Sequence, residues 1–233
     1  MKATVFEQLL AARADKRPVV LVTELESGNQ GLVFAADDGG SAMSAEVVSA
    51  ARDALRSGRS AIVDGSQAGK TFLHVFNPPL RLYIIGAVHI AQALAPMAAM
   101  LGYVVTLIDP RGAFASTQRF AGLRVLGAWP DDGLAGENLD AGCAVVTLTH
   151  DPKLDDPALA AALRSDAFYI GCLGSRRTHA KRLDRLSDAG FDAPCLERLH
   201  GPVGLDIGAS SPAEIATSIL AQMTQTLRRG QRG

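Results

Sequence analysis

Only three cysteines occur in 233 residues, Cys143, Cys172 and Cys195, and no two are spaced as Cys-x-x-Cys. That scarcity excludes a disulfide framework and fits the cytoplasm. Charge of one sign is also missing: 23 Lys and Arg against 24 Asp and Glu leave a net charge of -1. The one dense basic run, SRRTHAKRLDR, alternates with acids soon after it, so general nucleic-acid binding, which needs a basic stripe, is excluded. Long apolar runs are lacking as well. No window approaches the roughly 18 uninterrupted apolar residues of a membrane span, and the start, MKATVFEQLLAARADKRP, is polar and amphipathic where a secretory signal would be apolar. A soluble cytoplasmic protein is expected. Internal repeats and low-complexity segments are absent too.

What is present is an ordinary globular composition, 48% apolar and 20% charged, long enough for one large domain or two small ones. Residues 4 to 14 have the spacing of an amphipathic helix closed by Pro18. PVVLVTEL and GLVFAADDGG predict two strands joined by SGNQ, with Asp38, Gly39 and Gly40 as a turn. Ser44 is placed to cap a helix that Gly58 stops, and SAIVD and TFLHVF supply two more strands.

Asn77-Pro78-Pro79 marks the best boundary, because consecutive prolines do not continue a strand interior. Beyond it the pattern alternates. Strands are predicted at 82 to 86, 104 to 109, 123 to 127, 144 to 149 and 167 to 172, and helices at 89 to 101, 156 to 164 and 177 to 188. A last helix begins at Ser211-Pro212-Ala213-Glu214 and continues to about Leu227. The reading is an α/β protein, with a small N-terminal α/β domain over residues 1–79 and a Rossmann-like domain with a mostly parallel sheet over 80–233.

The segment LYIIGAVHIAQALAPMAAMLGYVVTLIDPR has the layout of a dinucleotide-binding βαβ unit, but its glycine pattern is broken. Gly86 is kept, whereas Val88 and Ala91 stand where the second and third glycines belong. Asp109 occupies the position of the acid that meets the adenosine ribose. The bland alternative is a structural turn at Gly86, with Asp109 a surface residue. The free N–H groups of residues 87 to 91 still attract a phosphate, and the β-branched Val88 disfavours a pyrophosphate lying across the turn. The pattern therefore favours a phosphate-bearing ligand of another kind over NAD(P).

Further polar residues fall at the carboxyl ends of predicted strands, where open α/β sheets bind ligands. They are Gly86, Ala87, Val88, His89 and Ile90 after the first strand, and Asp109 and Arg111 after the second. Thr149, His150 and Asp151 follow AVVTL, and Gly174, Ser175, Arg176 and Arg177 follow FYIGCL. Each alone has a structural explanation; their shared edge predicts a cleft. His89, His150 and His179 lack metal-ligand spacing, so no metal site is expected. Cys143 and Cys172 fall in predicted strands as small hydrophobes, and Cys195 in a loop is the most accessible thiol.

Taken in order, GAVHIAQALAPMAAMLGYVVTLIDPR, VVTLTHD, YIGCLGSRRT and GPVGLDIGASSPAEIATSILAQM resemble the C-terminal Rossmann domain of the XdhC/CoxI family over about residues 80 to 226. That resemblance implies an accessory protein, a maturation chaperone and not an enzyme. It implies binding of molybdenum cofactor, as molybdopterin or its nucleotide form, and help in its sulfuration or insertion into a molybdenum hydroxylase such as xanthine dehydrogenase or carbon monoxide dehydrogenase. The hydroxylase apoenzyme, a cysteine desulfurase and a second copy in a homodimer are the implied partners. The family's turn usually reads Gly-Ala-Gly-His, so Val88 is a departure, and the N-terminal region is short and divergent, with only Gly39-Gly40, Glu46 and no cysteine before Cys143. On this reading Gly86 to Ile90 take a phosphate, and Arg111, His150, Arg176 and Arg177 supply cationic or donor contacts. Two alternatives stay open: an NAD(P)-dependent oxidoreductase, and a scaffold that recruits a desulfurase without binding cofactor.

Overall fold

The structure, a computed structural model, describes residues 2–35, 43–65, 69–112 and 119–230. The Asp38, Gly39 and Gly40 turn lies outside the described residues. The chain divides into two compact units, Met1–Pro78 and Pro79–Gly230.

The first unit contains α1 (Ala3–Ala14), β1 (Val19–Glu24), β2 (Gln30–Phe34), α2 (Ala45–Ser57), β3 (Ala61–Gly65) and β4 (Gly69–Phe76). Its strands form an antiparallel sheet in the order β2-β1-β4-β3. The run VVLV reads as unbroken hydrophobicity because β1 is covered on both sides. Successive side chains alternate between faces, so Val20 and Val22 pack under α2 while Val19 and Leu21 pack with Leu9 and Ala12 of α1. Ser44 Oγ accepts from Val47 N, and Gly58 closes α2 at φ +65°. Both signals for that helix were local.

The second unit contains β5 (Arg81–Ile85), α3 (His89–Met100), β6 (Val104–Ile108), β7 (Arg124–Leu126), α4 (Pro130–Ala135) and β8 (Cys143–Thr147). It continues with α5 (Pro152–Leu163), β9 (Tyr169–Cys172), α6 (Arg176–Asp188), α7 (Ala193–Leu196), β10 (Leu199–His200) and α8 (Pro212–Gly230). All six strands pair in parallel in the order β10-β9-β8-β5-β6-β7, the doubly wound order of a Rossmann fold. The same alternation explains the apolar strands here. Leu82 and Ile84 of β5, with Ala144 and Val146 of β8, enter the core beneath α3 and α8. Tyr83, Ile85, Cys143 and Val145 enter the opposite core beneath α4, α5 and α6.

Three short elements, α4, α7 and β10, were not expected, since each is too short to display a period. Helix α5 begins at Pro152 and not at residue 156, because Asp151 Oδ1 accepts from Lys153 N at 3.0 Å and Pro152 stands in the first turn. Helix α8 opens with a reciprocal cap: Glu214 N donates to Ser211 Oγ at 3.2 Å and Ser211 N to Glu214 Oε2 at 2.8 Å.

Candidate functional site

Strands β5 and β8 are neighbours, but the chain leaves them toward opposite sides of the sheet, to β6 and to β9. The crevice of such a fold opens beyond the carboxyl ends of those two strands. Here its walls are the Gly86 turn and the loop from Leu148 to Asp151. They meet closely: Gly86 has φ +107°, and a Cβ at that position would stand 2.5 Å from Thr149 Cγ2. Only glycine satisfies both the conformation and the approach.

Beyond Gly86, Val88 is the residue preceding α3 and offers no side-chain cap, while His89 is exposed and Ile90 half-buried. The next group departs from the dinucleotide pattern. Asp109 is completely buried, with Oδ2 accepting from Ala87 N at 2.7 Å and from Arg111 Nη2 at 2.8 Å. Its Oδ1 accepts from Arg111 N and Nε, each at 2.9 Å. Burial alone would raise this carboxyl, yet the hydrogen bonds from Arg111 and Ala87 outweigh it and hold the pKa below the ordinary value. The carboxylate expected to meet a ribose, or to lie on the surface, instead ties the turn after β5 to the end of β6. It also consumes one of the N–H groups expected for a phosphate.

On the other wall, Thr149 Oγ1 donates to Asp155 Oδ1 at 2.7 Å and accepts from Asp151 N at 3.0 Å. His150 follows in a left-handed conformation, φ +62°, uncommon for a non-glycine residue though histidine is among the types that adopt it most, and is exposed. Asp151 caps α5. After β9, Gly174 takes φ +146° and Ser175 Oγ caps α6, accepting from Thr178 N at 3.1 Å. Arg176 and Arg177 are exposed in the first turn of α6.

Of the expected residues, His150 and Arg177 share a cavity of about 260 Å³ between the start of α5 and α6, joined there by Thr178, Lys181, Arg182 and Arg185. The last four escaped the sequence reading. Arg182 is 2% exposed, which is exceptional for a guanidinium. Its Nη2 donates to Leu173 O at 2.9 Å and lies 3.6 Å from Asp155 Oδ2, itself buried. Burial raises the Asp155 carboxyl against the opposing pull of Thr149 and Arg182. A signal for Arg182 did exist. It falls three residues after His179 and four before Leu186, in the buried stripe of α6, where a charge demands a partner.

Cys172 and His179 also meet, Sγ to Nδ1 at 3.6 Å, and Cys172 Sγ donates to His200 O at 3.5 Å. Burial pushes both the Cys172 and the Cys143 thiols up to about 11, so neither is a thiolate nucleophile at neutral pH. Among the described residues, no three His, Cys, Asp or Glu side chains are grouped to hold a metal ion. Among the same residues no helix is long and apolar enough to cross a membrane.

Comparison with known proteins places this unit. Over 148 residues the chain is 34% identical to the molybdenum cofactor insertion chaperone PaoD of Escherichia coli K12, covering 64% of this chain and 40% of PaoD. It is 32% identical over 164 residues to a probable xanthine dehydrogenase subunit of Bacillus subtilis 168, covering 70% of this chain and 48% of that protein. The chain thus spans less than half the length of these curated relatives. A crystal structure described as a xanthine dehydrogenase from Bacillus halodurans superposes with a TM-score of 0.72 at 25% identity, over 98% of this chain and 67% of that one. The sequence model of the XdhC Rossmann domain matches residues 82–223, from the second residue of β5 into α8, and on that match the chain belongs to the XdhC family.

Proposed function

We propose that this protein is a maturation factor that carries molybdenum cofactor, or its nucleotide form, to the apoenzyme of a molybdenum hydroxylase such as xanthine dehydrogenase. The observation that carries the reading is its likeness to a protein named as a molybdenum cofactor insertion chaperone, beside the match of the XdhC Rossmann domain to the unit with the switch-point crevice. The cargo lies across the carboxyl ends of β5, β8 and β9, bordered by Gly86 to Ile90, Arg111, Thr149 to Asp151 and Gly174 to Arg177. Open α/β sheets bind their ligands at this edge. The protein holds the pterin and its phosphate without performing catalysis, acts in the cytoplasm, and works as a homodimer. A cysteine desulfurase that supplies the terminal sulfur is the second partner.

The oxidoreductase alternative fares worse. The turn carries Val88 where close pyrophosphate approach needs glycine, and Asp109 has both oxygens bonded internally. The deciding experiment is the ligand content of protein purified from cells that make the cofactor. Molybdenum and pterin in near-stoichiometric amounts are expected. Bound NAD(P) in their place would turn the reading to an oxidoreductase, and neither ligand would leave a recruiting scaffold.

A further inference from the structure

Most acids around the crevice are committed within the protein. Asp109 has both oxygens bonded to Ala87 and Arg111, Asp151 caps α5, and the buried Asp155 is bonded to Thr149 and paired with Arg182. Glu214 is likewise occupied at the start of α8, where its Oε2 accepts from Ser210 N and Ser211 N, each at 2.8 Å. Asp206 is the exception. It is exposed, and among the described residues no hydrogen bond or ion pair holds its carboxylate.

The backbone around Asp206 fixes its place. The chain beyond β10 stays at the carboxyl edge of the sheet, with Val203 N donating at 3.1 Å to the carbonyl of Cys172, the last residue of β9. Two residues on, Leu205 N donates to Ser218 O of α8 at 3.2 Å, and Ile207 N returns to Leu205 O at 3.0 Å. These bonds close a three-residue turn with Asp206 at its tip, just past the end of β9. Its base is braced. Gly204 N donates to Gln222 Oε1 at 2.8 Å, the same oxygen that takes the Tyr169 hydroxyl of β9 at 2.6 Å, and a Cβ at Gly204 would collide with the Ser218 hydroxyl. Helix α8, which carries this base, lies over the same core as α3, the helix that starts at the Gly86 turn. Ile207, 55% exposed, gives the turn an apolar flank.

Arg176, Arg177 and the backbone N–H groups along this edge are donors, suited to the anionic end of a cargo. A pterin ring asks for the opposite. Its pyrimidinone edge presents an amino group and a ring N–H side by side, two donors that one carboxylate accepts together. We infer that Asp206 selects the pterin ring, its two oxygens accepting from the 2-amino group and the neighbouring ring N–H. The braced turn holds the carboxylate in position before the ligand arrives, which lowers the ordering cost of binding. The inference deepens the proposed function and rests on its pterin cargo.

The test is fluorescence titration of the intact protein at pH 7 with pterin and with lumazine, the same bicycle with a carbonyl in place of the 2-amino group. Saturable binding of pterin is expected, at least tenfold tighter than that of lumazine, because the added carbonyl sets an acceptor against the carboxylate. Asp206→Asn alters only an exposed side chain. It is expected to weaken pterin at least tenfold and to cut the preference below twofold, at an unchanged melting temperature, whereas Asp206→Glu, which keeps the carboxylate, retains the preference. No saturable pterin binding by the parent, equal binding of the two ligands by the parent, or a parental preference in Asp206→Asn each overturns the inference; the last would leave the turn to a protein partner. Molybdenum and pterin content of the purified protein separates this claim from the carrier reading. Copurified cofactor with a parental preference in Asp206→Asn sinks only the role of Asp206. A preference that Asp206→Asn removes, in a parent that copurifies neither molybdenum nor pterin, sinks the carrier reading and leaves a site for an aminopyrimidinone ring.

Discussion

Asp109 joins the turn after β5 to the end of β6 by accepting four hydrogen bonds, one from Ala87 and three from Arg111. Its folded pKa is held below the ordinary value, so it contributes stability that is present above the unfolded pKa of about 3.9 and is lost as pH falls through the folded value. Asp109→Asn keeps the size but turns an amide donor toward Arg111. We expect the variant to be less stable at pH 7 by about 1.5–3 kcal/mol, the scale of hydrogen bonds to charged groups. Because Arg111 is 37% exposed and regains water, the lower end is favoured. Urea melts of both proteins from pH 7 to pH 3 check it. The gap must narrow below about pH 4, and a pH-independent gap would mean that the carboxylate is not ionised in the folded protein.

At the scale of elements, the edge that carries the proposed site is fixed by helix starts. Asp151 caps α5 and Ser175 caps α6, so side chains expected to meet a ligand are committed to orphan N–H groups of the backbone. Ser175 Oγ also lies 3.0 Å from Thr178 Oγ1. Replacing it with alanine removes the acceptor for Thr178 N and is expected to cost about 0.5–2 kcal/mol. Chemical denaturation of Ser175→Ala measures this, with Ser175→Asp, which restores an acceptor at a helix amino terminus, as the rescue. Equal losses in both variants would show that the hydroxyl serves something other than the cap. The helix it starts presents Arg182 to the interior, so a frayed α6 would also loosen its ion pair with Asp155.

At the scale of the molecule, the cores of the first unit draw on residues between Val5 and Phe76, and those of the second on residues between Leu80 and Met223. No core cluster among the described residues mixes residues of the two units, and we propose that each unit is a domain that folds by itself. A fragment of residues 79–233 is expected to unfold in one cooperative thermal transition. A fragment with native-like secondary structure but no cooperative transition would make the units interdependent.

The sequence by itself determined the alternation of the second unit, the sharp turn at Gly86, the caps at Ser44 and Ser211, and the apolar faces of β1, β5 and β8. These are written in neighbouring residues: side-chain period, helix-capping chemistry and the backbone freedom of glycine act over a few positions. It also placed His150 and Arg177 at one sheet edge, since strand ends follow from the same periods. Only the tertiary structure decided that Asp109 turns inward to Ala87 and Arg111, that Thr149 closes against Gly86, and that Arg182 of α6 is buried opposite Asp155 of α5. The reason is physical. Whether a charge meets solvent, a ligand or a buried partner depends on which distant segments the fold brings to within a few ångströms of it, and local propensity does not encode that distance.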